Sequence, residues 1–461
     1  MHYRLIVVLL FFLQLNALQA KPFRVFGKLE GHHGEQLRIL TPADPFSGME
    51  NTLVRGQIDS NGYFSLQADI KNTLFAWISL GFSRSEIYLY PGLELEIDIK
   101  ISENPKAGRN PFLEPPSQNL ELISEKPRSL NRDITSFNST FDDFLILNTK
   151  GLQNRRNTFL LDSLNKLITS KGFDTTDTYL KDYIFYKLAD ISVFLREMKY
   201  PKAYGIYLSH KPLNFDNIAF SDFFNNFFAD YLLSQTKSNF LNDLDLCINK
   251  NVDLYGLLDS LGKDSLLRNE KTRELVLLKH LPLFYNQNNF SKPNIIHLLE
   301  TFAAKGKFKD HRQIALNLLS QLSRFEPGTP LPAFTFLRKD GIIFNNDSLK
   351  GKINCLLFFT TVCDACLAEH DLIRNLQKKY SGRIRFISVC CDIRNYALSS
   401  YLRDHPKYNW LFVEFNGDFS FLETMEIKSS PLLLITDREG RLIKYPAKLP
   451  SEGLEKDLEK L

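Results

Sequence analysis

Two cysteines separated by two residues, Cys363-Asp364-Ala365-Cys366, carry the clearest chemistry in the chain. They follow the apolar run Ile353-Asn354-Cys355-Leu356-Leu357-Phe358-Phe359, which favours a strand, and two threonines, Thr360 and Thr361. After them, Leu367-Ala368-Glu369-His370-Asp371-Leu372-Ile373 spaces its apolar residues as a helix does. The pair therefore falls at a strand-to-helix turn. A helix N-terminus carries unpaired N–H groups and a partial positive charge, and both stabilise a thiolate at the first cysteine. Cys363 is then the nucleophile. Cys366, one turn further in, is placed to attack a mixed disulfide formed at Cys363. Three plainer readings compete: half of a zinc site, a structural disulfide, or coincidence. A four-cysteine zinc site needs a second Cys-x-x-Cys, and the sequence has none.

Further residues fall into a pattern around the pair. Before the strand stand Pro330-Leu331-Pro332-Ala333-Phe334 and Leu349-Lys350-Gly351-Lys352; after it come Leu367-Ala368-Glu369, the strand Phe386-Ile387-Ser388-Val389, and Ser430-Pro431 ahead of Leu432-Leu433-Leu434-Ile435-Thr436-Asp437-Arg438-Glu439-Gly440. From Pro327 onward the chain resembles a thioredoxin-fold domain of the TlpA/ResA type, the envelope thiol-disulfide oxidoreductases. The resemblance implies that Pro431 is a cis proline lying against the cysteine pair and that the backbone of Ser430 pairs with a bound polypeptide. It also implies that Glu369 assists proton transfer, against the equal alternative of a solvated helix carboxylate. It further implies protein disulfide substrates, resetting by a membrane electron donor of the DsbD type, and no bound cofactor. Two positions depart from the family: Val362 stands where tryptophan is usual, and Leu357 where a buried polar residue often moves protons. Asp364, a negative neighbour, opposes thiolate formation at Cys363, which points to a reductant rather than a strong oxidant.

Other functions fit parts of the same pattern. Thr360-x-x-Cys363 has the threonine-cysteine spacing of a peroxiredoxin, but Leu356 occupies the place of that family's proline. A Cu(I) chaperone on a thioredoxin fold would use Cys363 and Cys366 with a histidine from a late loop, where the region 405–431 offers only His405 at its start. A non-enzymatic envelope binding or scaffold protein would use the last domain as support alone.

The elements that must position this site belong to a chain of 461 residues, too long for one ordinary domain. Its 57 Lys and Arg against 53 Asp and Glu are dispersed, so charge gives no case for a nucleic-acid partner. Six cysteines, five of them after residue 350, are too few for a disulfide scaffold. Met1 to Ala20 has a basic start, an apolar middle and a small residue at its end, and reads as a secretory signal peptide directing the rest to the periplasm or cell envelope. The competing expectation is an uncleaved N-terminal membrane anchor.

Residues 21–100 alternate as strands and predict a small β-sandwich or barrel, with hairpins across Asp59-Ser60-Asn61-Gly62 and across Pro91-Gly92. This part resembles the domain of unknown function that often precedes TlpA-like domains in exported proteins. Gly31-His32-His33-Gly34 lacks a third metal ligand and reads as a solvated turn. The proline-rich stretch 101–116 is a linker, and 117–325 shows helical periodicity for an irregular α-helical domain. Within it, Phe223, Phe224, Phe227, Phe228 and Tyr231 form an aromatic stripe that is core, or a cradle for extended polypeptide. Cys247 reads as a buried apolar residue. Residues 326–461 alternate strands and helices as an α/β thioredoxin fold, with Cys355 as an inert core residue. Cys390-Cys391 are expected to point to opposite faces, one packed and one accessible.

Overall fold

The computed structural model describes residues 20–461 except 82, 103–118, 124–128, 154–158, 174–175, 196–197, 210, 234–237, 393–396 and 416–418. The stretch expected to be an export signal, save Ala20, and the expected linker from 103 onward lie outside the described residues. Against the expectation of a membrane anchor, no helix among the described residues is long and apolar enough to cross a membrane, and the amino-terminal stretch on which that expectation rests lies outside them.

The first domain is an eight-stranded sheet of β1 (Lys21–Lys28), β2 (Gln36–Pro42), β3 (Glu50–Gln57), β4 (Tyr63–Ile70), β5 (Leu74–Leu80), β6 (Ser83–Leu89), β7 (Glu94–Ser102) and β8 (Asn119–Ile123). Its strand order is β3-β2-β5-β6-β8-β7-β1-β4. Alternate residues such as Phe23, Val25, Ile39, Leu66, Ile78, Ile87, Leu95 and Ile97 point inward and form one core. The two outermost strands approach each other: a Cβ added at Gly56 of β3 would lie 2.7 Å from the Leu66 side chain of β4. The sheet thus curls until its edges meet.

Neither expected hairpin forms a ladder. β3 pairs with β2, and β4 pairs with β1, although Asp59 accepts from Asn61 and Tyr63 N–H and turns the chain between them. β6 and β7 are separated by β8, which arrives from beyond the proline-rich stretch and pairs with both. A tight turn fixes a change of direction, whereas ladder partners are fixed by which strands share the curled sheet.

The second domain runs through α1 (Leu130–Leu147), α2 (Thr149–Gln153), α3 (Phe159–Lys171), α4 (Thr178–Phe194), α5 (Tyr200–Tyr207), α6 (Ile218–Phe227), α7 (Ser238–Asp245), α8 (Leu254–Gly262), α9 (Glu270–Tyr285), α10 (Lys292–Lys305) and α11 (Lys309–Arg324). The aromatic stripe is core: Phe223, Phe224, Phe227 and Phe228 are each at most 1 % exposed. Cys247 belongs to the same core, as do Phe75 and Tyr88 from the first domain, so the two domains share an apolar seam. Asn131 closes it, accepting from Tyr88 N–H at 2.7 Å and donating to Tyr88 O at 2.8 Å.

The third domain contains β9 (Thr335–Arg338), β10 (Ile343–Asn345), β11 (Ile353–Phe359), α12 (Asp364–Tyr380), β12 (Ile384–Cys390), α13 (Ala397–Asp404), β13 (Leu411–Phe415), α14 (Phe419–Thr424), β14 (Leu432–Thr436), β15 (Leu442–Ala447) and α15 (Leu454–Leu458). Its strand order is β10-β9-β13-β12-β11-β14-β15, with β11 parallel to β12 and antiparallel to β14. All residues of β11 are buried. Leu356 and Phe358 enter one core and Cys355 and Leu357 the other, as two covered faces require. Burial pushes the Cys355 thiol far up, in keeping with an inert core role.

One position tests the curled sheet directly. A Cβ at Gly27 of β1 would fall 1.6 Å from the Ile97 carbonyl oxygen of β7, which is backbone and cannot swing aside. Gly27→Ala is expected to destabilise the first domain by at least about 1–3 kcal/mol, read as a lower midpoint in urea unfolding followed by a β-domain probe.

Candidate active site

β11 delivers the chain to the cysteine pair and α12 begins within it. Cys363 is the N-cap of α12, with φ −96° and ψ 105°, and its Sγ accepts from the Cys366 N–H at 3.1 Å. One of the orphan donors of the helix start is therefore satisfied by sulfur. Cys363 and Cys366 are joined by a disulfide, with Cα atoms 5.2 Å apart.

The second wall comes from the start of β14. The Ser430–Pro431 peptide is cis, and the Ser430 carbonyl oxygen lies 3.9 Å from Cys363 Sγ. Four of the five residues singled out from the sequence, Cys363, Cys366, Ser430 and Pro431, thus meet at one place. Cys363 is 4 % exposed and Cys366 is fully buried, while Val362 beside them is 57 % exposed. Val362 therefore puts an apolar side chain in solvent at the rim of the pair.

Glu369 is neither solvated nor turned loose. It is fully buried, and its carboxylate accepts from the Ser451 N–H at 3.1 Å and from the Ser451 hydroxyl. Burial raises its pKa, and the bonds from Ser451 partly offset that. Ser451 lies in the turn before α15, 82 residues away, and no local pattern announces it.

Two further residues support the site. Asp392 accepts from the Thr361 N–H at 2.7 Å and from the Cys390 thiol at 3.2 Å, tying the end of β12 to the turn before Cys363. His370, four residues after Cys366 on α12, is fully buried, with its ring centroid 4.5 Å from Phe359 and 5.4 Å from Phe412. Its Nδ1 lies 2.7 Å from the Tyr401 hydroxyl, while Nε2 has no hydrogen-bond partner among the described residues. Burial lowers its pKa to about 3, so the imidazole is neutral. Helical spacing from Cys366 would have pointed to His370, while Asp392 had only its place after a strand of apolar residues to mark it.

Cys390 and Cys391 do enter different cores, yet both are buried and both are free thiols, so neither is the accessible partner expected. Burial pushes both thiols upward. His405 places Nδ1 2.9 Å from the Tyr401 carbonyl and stacks on Tyr408, which engages it in the end of α13. His32 pairs with Glu35 at 3.0 Å. Among the described residues no group of three or more His, Cys, Asp or Glu side chains is arranged to hold a metal.

Residues 351–442 match a protein-family model described as thioredoxin-like. The last domain has a thioredoxin-like fold. Its cysteine pair is consistent with redox chemistry. No curated protein matches the chain. Among solved structures, a candidate thiol-disulfide oxidoreductase from Bacteroides vulgatus is 26 % identical, with the match covering 30 % of this chain and 98 % of that one at a TM-score of 0.28. A thiol:disulfide interchange protein from a Bacteroides species is 21 % identical over 30 % of this chain and 90 % of that one, at a TM-score of 0.27. The thioredoxin domain of a thiol-disulfide oxidoreductase from Bacteroides vulgatus is also 21 % identical, over 29 % and 96 %, at 0.27.

The neutral His370 makes this domain acid-sensitive. Its folded pKa of about 3 lies below the ordinary value of 6.5, so the unfolded chain binds the proton more readily. The stability it contributes is complete above pH 6.5 and is lost as pH falls towards 3. Unfolding in urea is expected to show this loss at about 1.4 kcal/mol per unit of pKa difference. His370→Phe is expected to flatten that acid branch, whatever its effect at pH 7.

Proposed function

We propose that this chain is an exported thiol-disulfide oxidoreductase that reduces disulfide bonds in polypeptides through Cys363 and Cys366. The observation that carries the reading is the meeting of a helix-capping cysteine with a cis-proline turn, the Ser430 carbonyl 3.9 Å from Cys363 Sγ. A nucleophilic sulfur and a strand-pairing backbone edge side by side suit a substrate that is an extended polypeptide carrying a disulfide.

In the reduced enzyme the Cys363 thiolate is stabilised by the Cys366 N–H and the start of α12. It attacks one sulfur of the substrate disulfide; that S–S bond breaks, and the departing substrate thiolate takes a proton from water. A mixed disulfide now joins Cys363 to the substrate. The Cys366 thiol then gives up its proton and attacks Cys363 Sγ, so the mixed bond breaks and the second substrate thiolate leaves. Two electrons have passed to the substrate, and the enzyme is left as the Cys363–Cys366 disulfide seen in the structure. Turnover requires an external dithiol to reduce it again. Glu369, held by Ser451, is the buried carboxyl on the same helix that could take the Cys366 proton, and its raised pKa suits that exchange. The amino-terminal sequence Met1 to Ala20 supports a site of action in the periplasm or cell envelope.

The decisive experiment is trapping. Cys366→Ser leaves the mixed disulfide unresolved, so disulfide-linked complexes with polypeptides are expected to accumulate on non-reducing gels. They should vanish in Cys363→Ser/Cys366→Ser. Complexes that persist without Cys363, or a well-folded Cys366→Ser that forms none while the wild type fails to reduce a disulfide-linked peptide with dithiothreitol as donor, would refute the reading.

A further inference from the structure

Residues 423–428 lead from α14 to the Ser430–Pro431 turn, and nearly every one of them is tied to another part of the molecule. Glu423 accepts from Arg38 at 3.1 Å, from the Thr52 hydroxyl at 3.1 Å and from Arg55, all three on the first domain. Arg38 is itself 6 % exposed and also donates to Ser79 Oγ at 3.1 Å and to the Gly81 carbonyl at 2.8 Å, so the guanidinium is fixed by its own sheet. Five residues on, Lys428 donates to the Gly48 carbonyl at 2.6 Å and lies 3.1 Å from Glu50, which in turn holds Arg84 at 3.1 Å.

The residues between these anchors are held from elsewhere. Arg324, at the end of α11, donates to the Thr424 carbonyl at 2.9 Å and to Glu426 at 3.1 Å. The Tyr445 hydroxyl donates to the Met425 carbonyl. Glu426 has a φ of 52°, a left-handed conformation that a residue with a long side chain keeps only when its surroundings enforce it. The secured run stops two residues before Ser430, whose carbonyl faces Cys363.

We infer that Glu423 is a positioning residue for the substrate turn, and that through it the amino-terminal β domain holds Ser430 and Pro431 in register with Cys363. A strand-pairing edge is useful only if its carbonyl and N–H are fixed before the partner arrives. The thioredoxin-like domain holds the inner side of this segment, with Met425 and Ile427 buried in its own core and Tyr445 bonded to the Met425 carbonyl, and the other two domains supply bonds to Glu423, Thr424, Glu426 and Lys428. What the turn binds rests on the redox reading above; the mechanical coupling from Glu423 to Ser430 does not.

The test uses the full-length chain with Glu423→Gln and, because that change leaves Arg38 without its charged partner, also with Arg55→Gln, whose side chain is 40 % exposed. Amide hydrogen exchange is followed across 429–432, and KM, kcat and the reduction potential of the cysteine pair are measured with a disulfide-linked peptide. Loss of one charge-assisted bond is expected to speed exchange in this window by about tenfold in Glu423→Gln. KM is expected to rise by a similar factor, about five- to tenfold, with kcat and the potential within about twofold of wild type. Arg55→Gln should move the same quantities in the same direction by less. Unchanged exchange at 429–432 in both folded variants overturns the coupling, and faster exchange with unchanged KM overturns its role in recognition. Faster exchange in a protein whose wild type reduces no peptide disulfide upholds the coupling and refutes the redox reading instead.

Discussion

The first turn of α12 needs an acceptor for its orphan N–H groups, and the atom that supplies one is the sulfur of Cys363. Serine, threonine, asparagine and aspartate are the usual caps, because an oxygen accepts better than a thioether-like disulfide sulfur. A thiolate, being charged, accepts better than either neutral form. The helix start is therefore best satisfied in the reduced, ionised state, and the atom that caps the helix is the one the proposed reaction uses as nucleophile. Asp364 in the first turn acts in two directions at once. It complements the positive end of the helix, which favours folding, and its charge disfavours a second negative charge next door, which weakens the thiolate.

That sulfur is useful only where β11 puts it. β11 and β14 are antiparallel, with Phe358 opposite Leu432, so the chain leaving β11 and the chain entering β14 lie at the same edge of the sheet. Cys363 and Pro431, 68 positions apart, become neighbours through that register alone. A slip of one residue would turn each side chain of β14 to the other face. Asn354 guards against it near the opposite end of the strand. Its buried amide nitrogen has the Leu349 and Lys352 carbonyls and Thr436 Oγ1 within 2.9 Å as acceptors for its two hydrogens, and its oxygen accepts from Arg385 at 2.7 Å. A polar side chain without this full set of partners would weigh against the fold, so the satisfied network specifies the register as well as tolerating burial.

These two constraints explain which parts of the molecule were legible in the sequence. The cysteine pair, its strand and its helix are local, so hydrophobic period and residue type sufficed to place Ile353–Phe359 and Asp364–Tyr380. Ser430 and Pro431 became legible through the resemblance to a known family, since nothing local pairs them with residue 363. Ser451 and Asp392 were not legible because each acts across the fold on a residue with which it shares no period. The first domain shows a different failure. Its strands were apparent from alternation, but ladder partners in a curled sheet depend on closure, and β8 joined the sheet from beyond a stretch of prolines.

The contact between the first and third domains bears on why such a chain keeps a β domain beside its thioredoxin-like one. Burying Arg38 costs desolvation, which lowers the pKa of the guanidinium, and the bonds to Glu423 offset that cost rather than exceed it. Ion pairs of this kind are weak evidence for stability and better evidence for a specified arrangement, because apolar residues would hold two domains together as well while allowing them to slide. The seam between the first and second domains has an apolar centre, with Phe75 and Tyr88 inside the helical core, and neutral side-chain donors such as Asn131 and Asn225 bonded beside it. The seam to the third domain is instead directional, a network of carboxylates, guanidinium groups, an ammonium and backbone carbonyls along 423–428. Apolar packing thus centres the join of the first two domains and ion pairs fix the segment that approaches Cys363, which is the distribution expected if the position of that approach matters more than the strength of the join.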